Sequence, residues 1–183
     1  LYLENQANLT EFPWQDVPGL QYLSIYFSGL IELPLWKIPG LTNCYCYDNY
    51  NLTSVDAHGQ TNLTSLDVSY STALTTLNLT GCTGLNTLYL IGSSLLTELD
   101  ISTCSALASL NLNSCDGITS LVTSSCPSLN RLSLYYCDGF TALDISNHVP
   151  LENLYLYRCE SLGDVNLVGC ASLDYISIRY CPL

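Results

Sequence analysis

The side chains best able to do chemistry in this sequence sit close together. In the stretch LSLYYCDGF, residues 132–140, Cys137 stands beside Tyr135, Tyr136 and Asp138. A thiol can serve as nucleophile or metal ligand, a phenol as proton donor and a carboxylate as base. The chain holds ten cysteines in all and two histidines, His58 and His148. What any of them can do depends on where the fold puts it, and the spacing of the apolar residues is the guide to that.

Large apolar residues recur at offsets 0, +3 and +5, and a new unit opens at +11, as in Leu63, Leu66, Val68 and then Leu74. Units begin at 9, 20, 30, 41, 52, 63, 74, 85, 96, 107, 118, 129, 140, 151, 162 and 173. Leu1 and Leu3 fit offsets +3 and +5 of a unit whose start lies outside the sequence, so the chain is expected to be a single repeat domain, 1–183, within a longer protein. A period this regular predicts a solenoid. Apolar residues at +3 and +5 flanking a polar +4 predict a short strand with one buried face. Gly, Pro, Asn and Ser near +9 and +10 predict a corner.

The tyrosines set the true period. All 14 fall in alternate units: those starting at 20, 41, 63, 85, 129, 151 and 173, and the truncated first one. The repeat is therefore 22 residues with two distinguishable sides. About eight coils at the ~4.8 Å strand spacing give a rod or shallow arc roughly 40 Å long. Thr123 beside Val122, and Ala57, occupy core offsets where larger residues are usual, and are expected to mark a slipped strand or a thin core.

The units LASLNLNSC (107–115), LNRLSLYYC (129–137) and LENLYLYRC (151–159) resemble the leucine-rich repeat family. Their even eleven-residue subdivision is similar to that of a bacterial subset with nested periodicity, found in surface and secreted proteins of gut bacteria. The resemblance covers essentially the whole chain and implies a leucine-rich-repeat solenoid of the α/β type, here mostly β. It would have parallel sheets on one or both sides and little or no helix. It also implies an extracellular or cell-surface location. The next apolar residue falls at +11 rather than at the +10 of the familiar motif, a departure that bears on the side opposite the main sheet.

Eight cysteines share the +8 offset: Cys82, Cys104, Cys115, Cys126, Cys137, Cys159, Cys170 and Cys181. The resemblance implies that this position points inward and bonds the neighbouring backbone. Cys44 and Cys46 replace leucines at +3 and +5 and are expected to fill the core. Two sharper alternatives stand beside this. Stacked cysteines have Cα atoms close enough for a disulfide, though their side chains point the same way, which is poor geometry for one. Cys126, His148 and Cys170 would stack at 22-residue spacing and could contribute to a zinc site. His58 falls at an outward offset.

No glycine-rich phosphate loop and no defensible carboxylate pair appear, so the chain is expected not to be an enzyme and to need no cofactor or metal. NLT at Asn8, Asn51, Asn62 and Asn78 matches a glycosylation acceptor but also fits the repeat consensus at a turn. With 16 acidic against 4 basic residues the net charge is −12, which argues against nucleic acid and anionic membrane as partners. No apolar run approaches the length of a membrane span.

Three of the four basic residues fall on the tyrosine-bearing side, whereas the other side is acidic. Tyrosine stabilises sheets wherever it occurs, but that does not confine it to one of two sheets. Tyr and Arg are enriched where proteins recognise partners. The expected partner-binding face is therefore Tyr22, Tyr26, Tyr45, Tyr47, Tyr89, Arg131, Tyr135, Tyr155, Tyr157, Arg158, Tyr175 and Arg179. The favoured function is a non-enzymatic recognition module for a protein partner. The alternatives are a stalk or spacer with no ligand of its own, and carbohydrate binding on the same face.

Overall fold

The structure is a computed structural model that describes every residue, Leu1–Leu183. The alternating units form short strands: β1 (Tyr2–Glu4), β2 (Tyr22–Tyr26), β3 (Glu32–Pro34), β4 (Asn43–Tyr45), β5 (Ser54–Asp56), β6 (Ser65–Asp67) and β7 (Thr76–Asn78). They continue as β8 (Thr87–Tyr89), β9 (Ser109–Asn111), β10 (Arg131–Tyr135), β11 (Ala142–Asp144), β12 (Asn153–Tyr157), β13 (Asp164–Asn166) and β14 (Tyr175–Arg179). Helix is confined to two 3-10 turns, Trp14–Asp16 and Leu35–Lys37.

One eleven-residue unit cannot satisfy its own strand hydrogen bonds, so each strand must pair with the equivalent unit one full coil away. The result is a nine-stranded parallel sheet in the order β1-β2-β4-β6-β8-β9-β10-β12-β14. Its register is that of the 22-residue repeat: Leu132 lies between Leu110 and Leu154. This is the tyrosine-bearing side. The opposite, acidic side carries two shorter sheets, β3-β5-β7 and β11-β13. Between the two sides the apolar offsets close into one core cluster of 45 buried residues.

Most strands are shorter than the alternation alone predicts, covering only +2 to +4. The chain then turns at +7, where φ is positive at Asn5, Phe27, Asp48, Tyr70, Ser114, Tyr136, Asn147, Arg158 and Tyr180, and at Gly59, Gly81, Gly92 and Gly169. For a residue with a side chain this conformation costs roughly 1–2 kcal/mol. On the acidic side the positive-φ positions are filled by Gly59, Gly81, Asn147 and Gly169, which tolerate it. On the tyrosine side they include a phenylalanine, three tyrosines and an arginine.

At the second corner two coils leave no room for a side chain at Gly117 and Gly139. A Cβ on Gly117 would lie 2.5 Å from the Leu96 carbonyl oxygen, and one on Gly139 would run into the Asp116 carbonyl. The acidic side is interrupted in its middle. Residues 98–100 and 120–122 form no strand, and no backbone hydrogen bond joins them to a neighbouring coil. Here Thr123 is buried at a core offset, and Val122 turns out to solvent, 67% exposed. Ala57, by contrast, is fully buried directly after strand β5 in a regular part of the rod.

Candidate functional site

The +8 side chains turn into the core after the strand ends. Each cysteine thiol that bonds there reaches the carbonyl of the +5 residue one coil back, an acceptor that the strand ladder leaves free. Cys82 donates to Ala57 (3.0 Å), Cys115 to Leu90 (2.7 Å), Cys137 to Leu112 (2.8 Å) and Cys170 to Ile145 (3.1 Å). Asn49 does the same to Ile25, and Gln60 to Leu35, each at 2.9 Å. Serine is shorter, and the buried hydroxyls of Ser71 and Ser93 at this offset find no partner. All ten cysteines are free thiols, and eight are buried. Cys44 and Cys46 are completely buried at their core offsets.

Burial holds the thiols of Cys44, Cys46, Cys82, Cys104, Cys115 and Cys126 protonated, the opposite of what a nucleophile requires. The thiols of Cys46, Cys104 and Cys115 are pushed up to about 12. Those of Cys82 and Cys126 rise to about 11. Cys137 shares a hydrogen bond with Cys159 that, with burial, raises its pKa; the Cys159 sulfur is the side of the pair on which the same bond favours charge. His148 occupies the ladder place between Cys126 and Cys170. Its Nε2 is 2.9 Å from the Leu129 carbonyl, so the ring continues the backbone-bonding role. No group of three or more Cys, His, Asp or Glu side chains is arranged to hold a metal ion.

The acidic side resolves into local structure. Asp56, Asp100 and Asp144 at +4 each accept the backbone N–H two residues on, from His58, Ser102 and Ser146. These bonds fix the turn that ends the strand, and those from Ser102 and Ser146 hold the Asp100 and Asp144 carboxyls below their usual range. His58 also bonds Asp56 through Nδ1 at 2.9 Å and stacks on Trp36 at 5.6 Å. Trp14 is buried in the core.

The tyrosine sheet divides its aromatic residues into two groups. Near the first coils, the Tyr26 ring stacks on Tyr47 at 5.0 Å and 11°, with Tyr2 edge-on to Tyr26 and Tyr22 against Tyr45. Tyr89 lies apart from both groups. Across β10, β12 and β14, Tyr135 meets Tyr157 (5.6 Å) and Tyr155 meets Tyr175 (5.3 Å). Tyr136 and Tyr180, both at the positive-φ corner, set their edges against Tyr157. These strands run to five residues, two more than most, which carries Tyr135, Tyr157 and Arg179 into the ladder.

The arginines lie on this second group. Arg131 sits 4.5 Å from the centre of the Tyr155 ring, and Arg158 lies 5.6–5.9 Å from Tyr136, Tyr157 and Tyr180. An open cleft of about 380 Å³ results, lined by Tyr135, Tyr136, Tyr155, Tyr157, Tyr175, Ser177 and Arg179. The corner residues Phe27 and Tyr70 are also exposed beside this sheet. The pattern of +2, +4 and +6 does not reach them. The signal that does is the +7 column itself, whose glycines and asparagines mark a left-handed turn.

With its 22-residue register, inward ladder and leucine core on the page, the architecture has a name. The chain is a parallel β-solenoid of 22-residue coils. No family model matches the chain, and no curated protein matches it in sequence. Among solved structures, the functional domain of InlJ from Listeria monocytogenes, described as including a cysteine ladder, is similar at 22% identity and a TM-score of 0.47. The match covers 90% of this chain and 47% of that one, so the chain spans about half the length of that structure. The likeness is one of general architecture. No helix is long and apolar enough to cross a membrane.

Proposed function

We propose that this solenoid is a non-enzymatic, secreted or cell-surface recognition module that binds a protein partner on its tyrosine sheet, at the cleft over β10, β12 and β14. The observation that carries this reading is the joining of five tyrosines and Arg179 around one open cleft, with a second arginine, Arg131, held over the Tyr155 ring. Rings stacked along a rigid sheet offer contact area that loses little entropy on binding, and arginine adds directional donors. The thiols of Cys82, Cys115, Cys137 and Cys170 are engaged with backbone carbonyls, and Asp56, Asp100 and Asp144 with backbone N–H groups. Carbohydrate stacking is the weaker use of the same rings, because neither tryptophan contributes: Trp14 is in the core and Trp36 is on the acidic side.

The test is a protein array and a glycan array probed with the full chain and with a Tyr135→Ser, Tyr155→Ser, Tyr157→Ser variant whose fold is checked by circular dichroism. A protein signal lost in the folded variant is the expected result. Signal unchanged in the variant, or signal on glycans alone, would refute it.

A further inference from the structure

We infer that the partner presents carboxylates: a short acidic segment of a protein, its Asp or Glu side chains held by Arg131, Arg158 and Arg179 and its apolar side chains lying on the tyrosine rings. This rests on the proposed recognition role and says what kind of surface is recognised.

Three observations lead there. First, the chain has sixteen acidic side chains, yet its one close pair of opposite charges is His58 with Asp56. No carboxylate comes within ion-pair distance of any arginine, although Glu152 and Asp174 belong to the same coils as Arg158 and Arg179. In a protein so rich in carboxylates, three neighbouring unpaired arginines are cations left open for something else. Second, two of the three guanidiniums lie against ring faces. A cation held over a ring keeps N–H donors that the ring does not use, and arginine takes a carboxylate through two parallel hydrogen bonds.

Third, the left-handed corner shared by every coil of the tyrosine sheet is occupied here by side chains for which that conformation is costly. Tyr136, Arg158 and Tyr180 have φ of 57°, 51° and 57°. At the equivalent corner of the acidic side, Gly and Asn do the same job without the cost. Strain kept for side chains that remain exposed points to what those side chains touch outside the chain.

The occupant is a short segment rather than a long polyanion. Arg131 and Arg179 are two coils apart and four positions apart along the strand, about 16 Å at the usual strand spacing and rise, which about five residues of extended peptide span. A densely charged polysaccharide needs a long basic track and would meet the −12 charge of the rest of the chain.

The experiment is selection of a randomised peptide library on the full chain, with heparin as a second probe and with Arg158→Gln, Arg179→Gln and Tyr136→Gly variants in parallel. Enrichment of peptides combining Glu or Asp with apolar residues is expected. Replacing their acidic residues by Gln, or making either arginine substitution, should weaken binding about tenfold or more, with affinity falling as salt rises. Tyr136→Gly should also weaken it while the melting temperature stays level or rises, because the corner strain is relieved. Selected peptides without acidic residues overturn the inference and leave the recognition role standing. So does the absence of any enrichment while a protein-array partner still depends on the tyrosines. Failure of every protein and peptide probe sinks the recognition role itself. Binding of heparin that needs the arginines, or a lowered melting temperature in Tyr136→Gly, also overturns the inference.

Discussion

The Cys137 sulfur lies 2.8 Å from the carbonyl oxygen of Leu112, one coil back and across the bend from the strand. The Leu112 carbonyl has turned away from the sheet ladder and faces the core. Without the thiol it would be a buried acceptor with nothing to accept. The same relation recurs along the rod, at Asn49, Gln60, Cys82, Cys115, Cys126, Cys159 and Cys170, and ties those coils to the ones before them.

Removing one rung should be costly and adding one should help. Cys137→Ala is expected to destabilise the fold by about 1–3 kcal/mol, from the unpaired carbonyl and the void left behind. Ser93→Cys should gain about 1 kcal/mol, since the longer thiol can reach the Val68 carbonyl that the buried, unpartnered Ser93 hydroxyl does not. Urea midpoints of the two variants decide this. A loss in Ser93→Cys would count against the ladder as a stabilising device.

The ladder also sets a limit on the alkaline side. The unfolded thiols ionise from about 9, whereas in the fold those of Cys46, Cys104 and Cys115 hold their protons to about 12. The folded values are raised, so the contribution is complete below about pH 9 and is lost as pH climbs toward 12. Denaturant midpoints measured under reducing conditions from pH 7 to pH 11 should therefore fall above pH 9. Cys104→Ala should flatten the fall by one thiol's share.

Two glycines close in sequence role should behave oppositely. Gly117→Ala forces a methyl against the Leu96 and Ser94 carbonyls and should cost about 1–3 kcal/mol. Nothing lies within 4 Å of a Cβ on Gly19, so Gly19→Ala should leave stability level or raise it by about 0.4–1 kcal/mol. Thermal melts of both variants test whether coil spacing at this corner is set by the backbone contact.

Much of this was legible because the repeat makes each position testify many times over. Leucines at 0, +3 and +5 required a solenoid, cysteines fell in one column, and the resemblance implied that the column points inward. Less visible was the left-handed turn at +7. Gly59, Gly81, Gly92, Gly169, Asn5 and Asn147 announce it, but Tyr136, Arg158 and Tyr180 in the same column disguise it, because their side chains are kept despite the backbone. The loss of strand at 98–100 had no signal either, since LTELDISTC (96–104) carries the regular pattern. The candidate face was legible as two ends, Tyr22, Tyr26, Tyr45 and Tyr47 at one and Arg131, Tyr135, Tyr155, Tyr157, Tyr175 and Arg179 at the other, with small polar residues and Tyr89 between. Its separation into two aromatic groups follows from pairing across coils, where Asp67, Asn111 and Ser133 interrupt the row that holds Tyr45, Tyr89 and Tyr155.

The gap on the acidic side gives the rod a mechanical character. Between Asn78 and Ala142 the coils are joined by backbone hydrogen bonds on the tyrosine side alone, with the Cys126 thiol and the Thr103 hydroxyl as side-chain ties opposite. A load along the axis is then carried off-centre. The unlaced side is expected to open first under such a load, with the middle of the rod as the hinge, like a spine fastened along one edge. The two aromatic groups lie on either side of that flexure and tilt relative to each other when it bends.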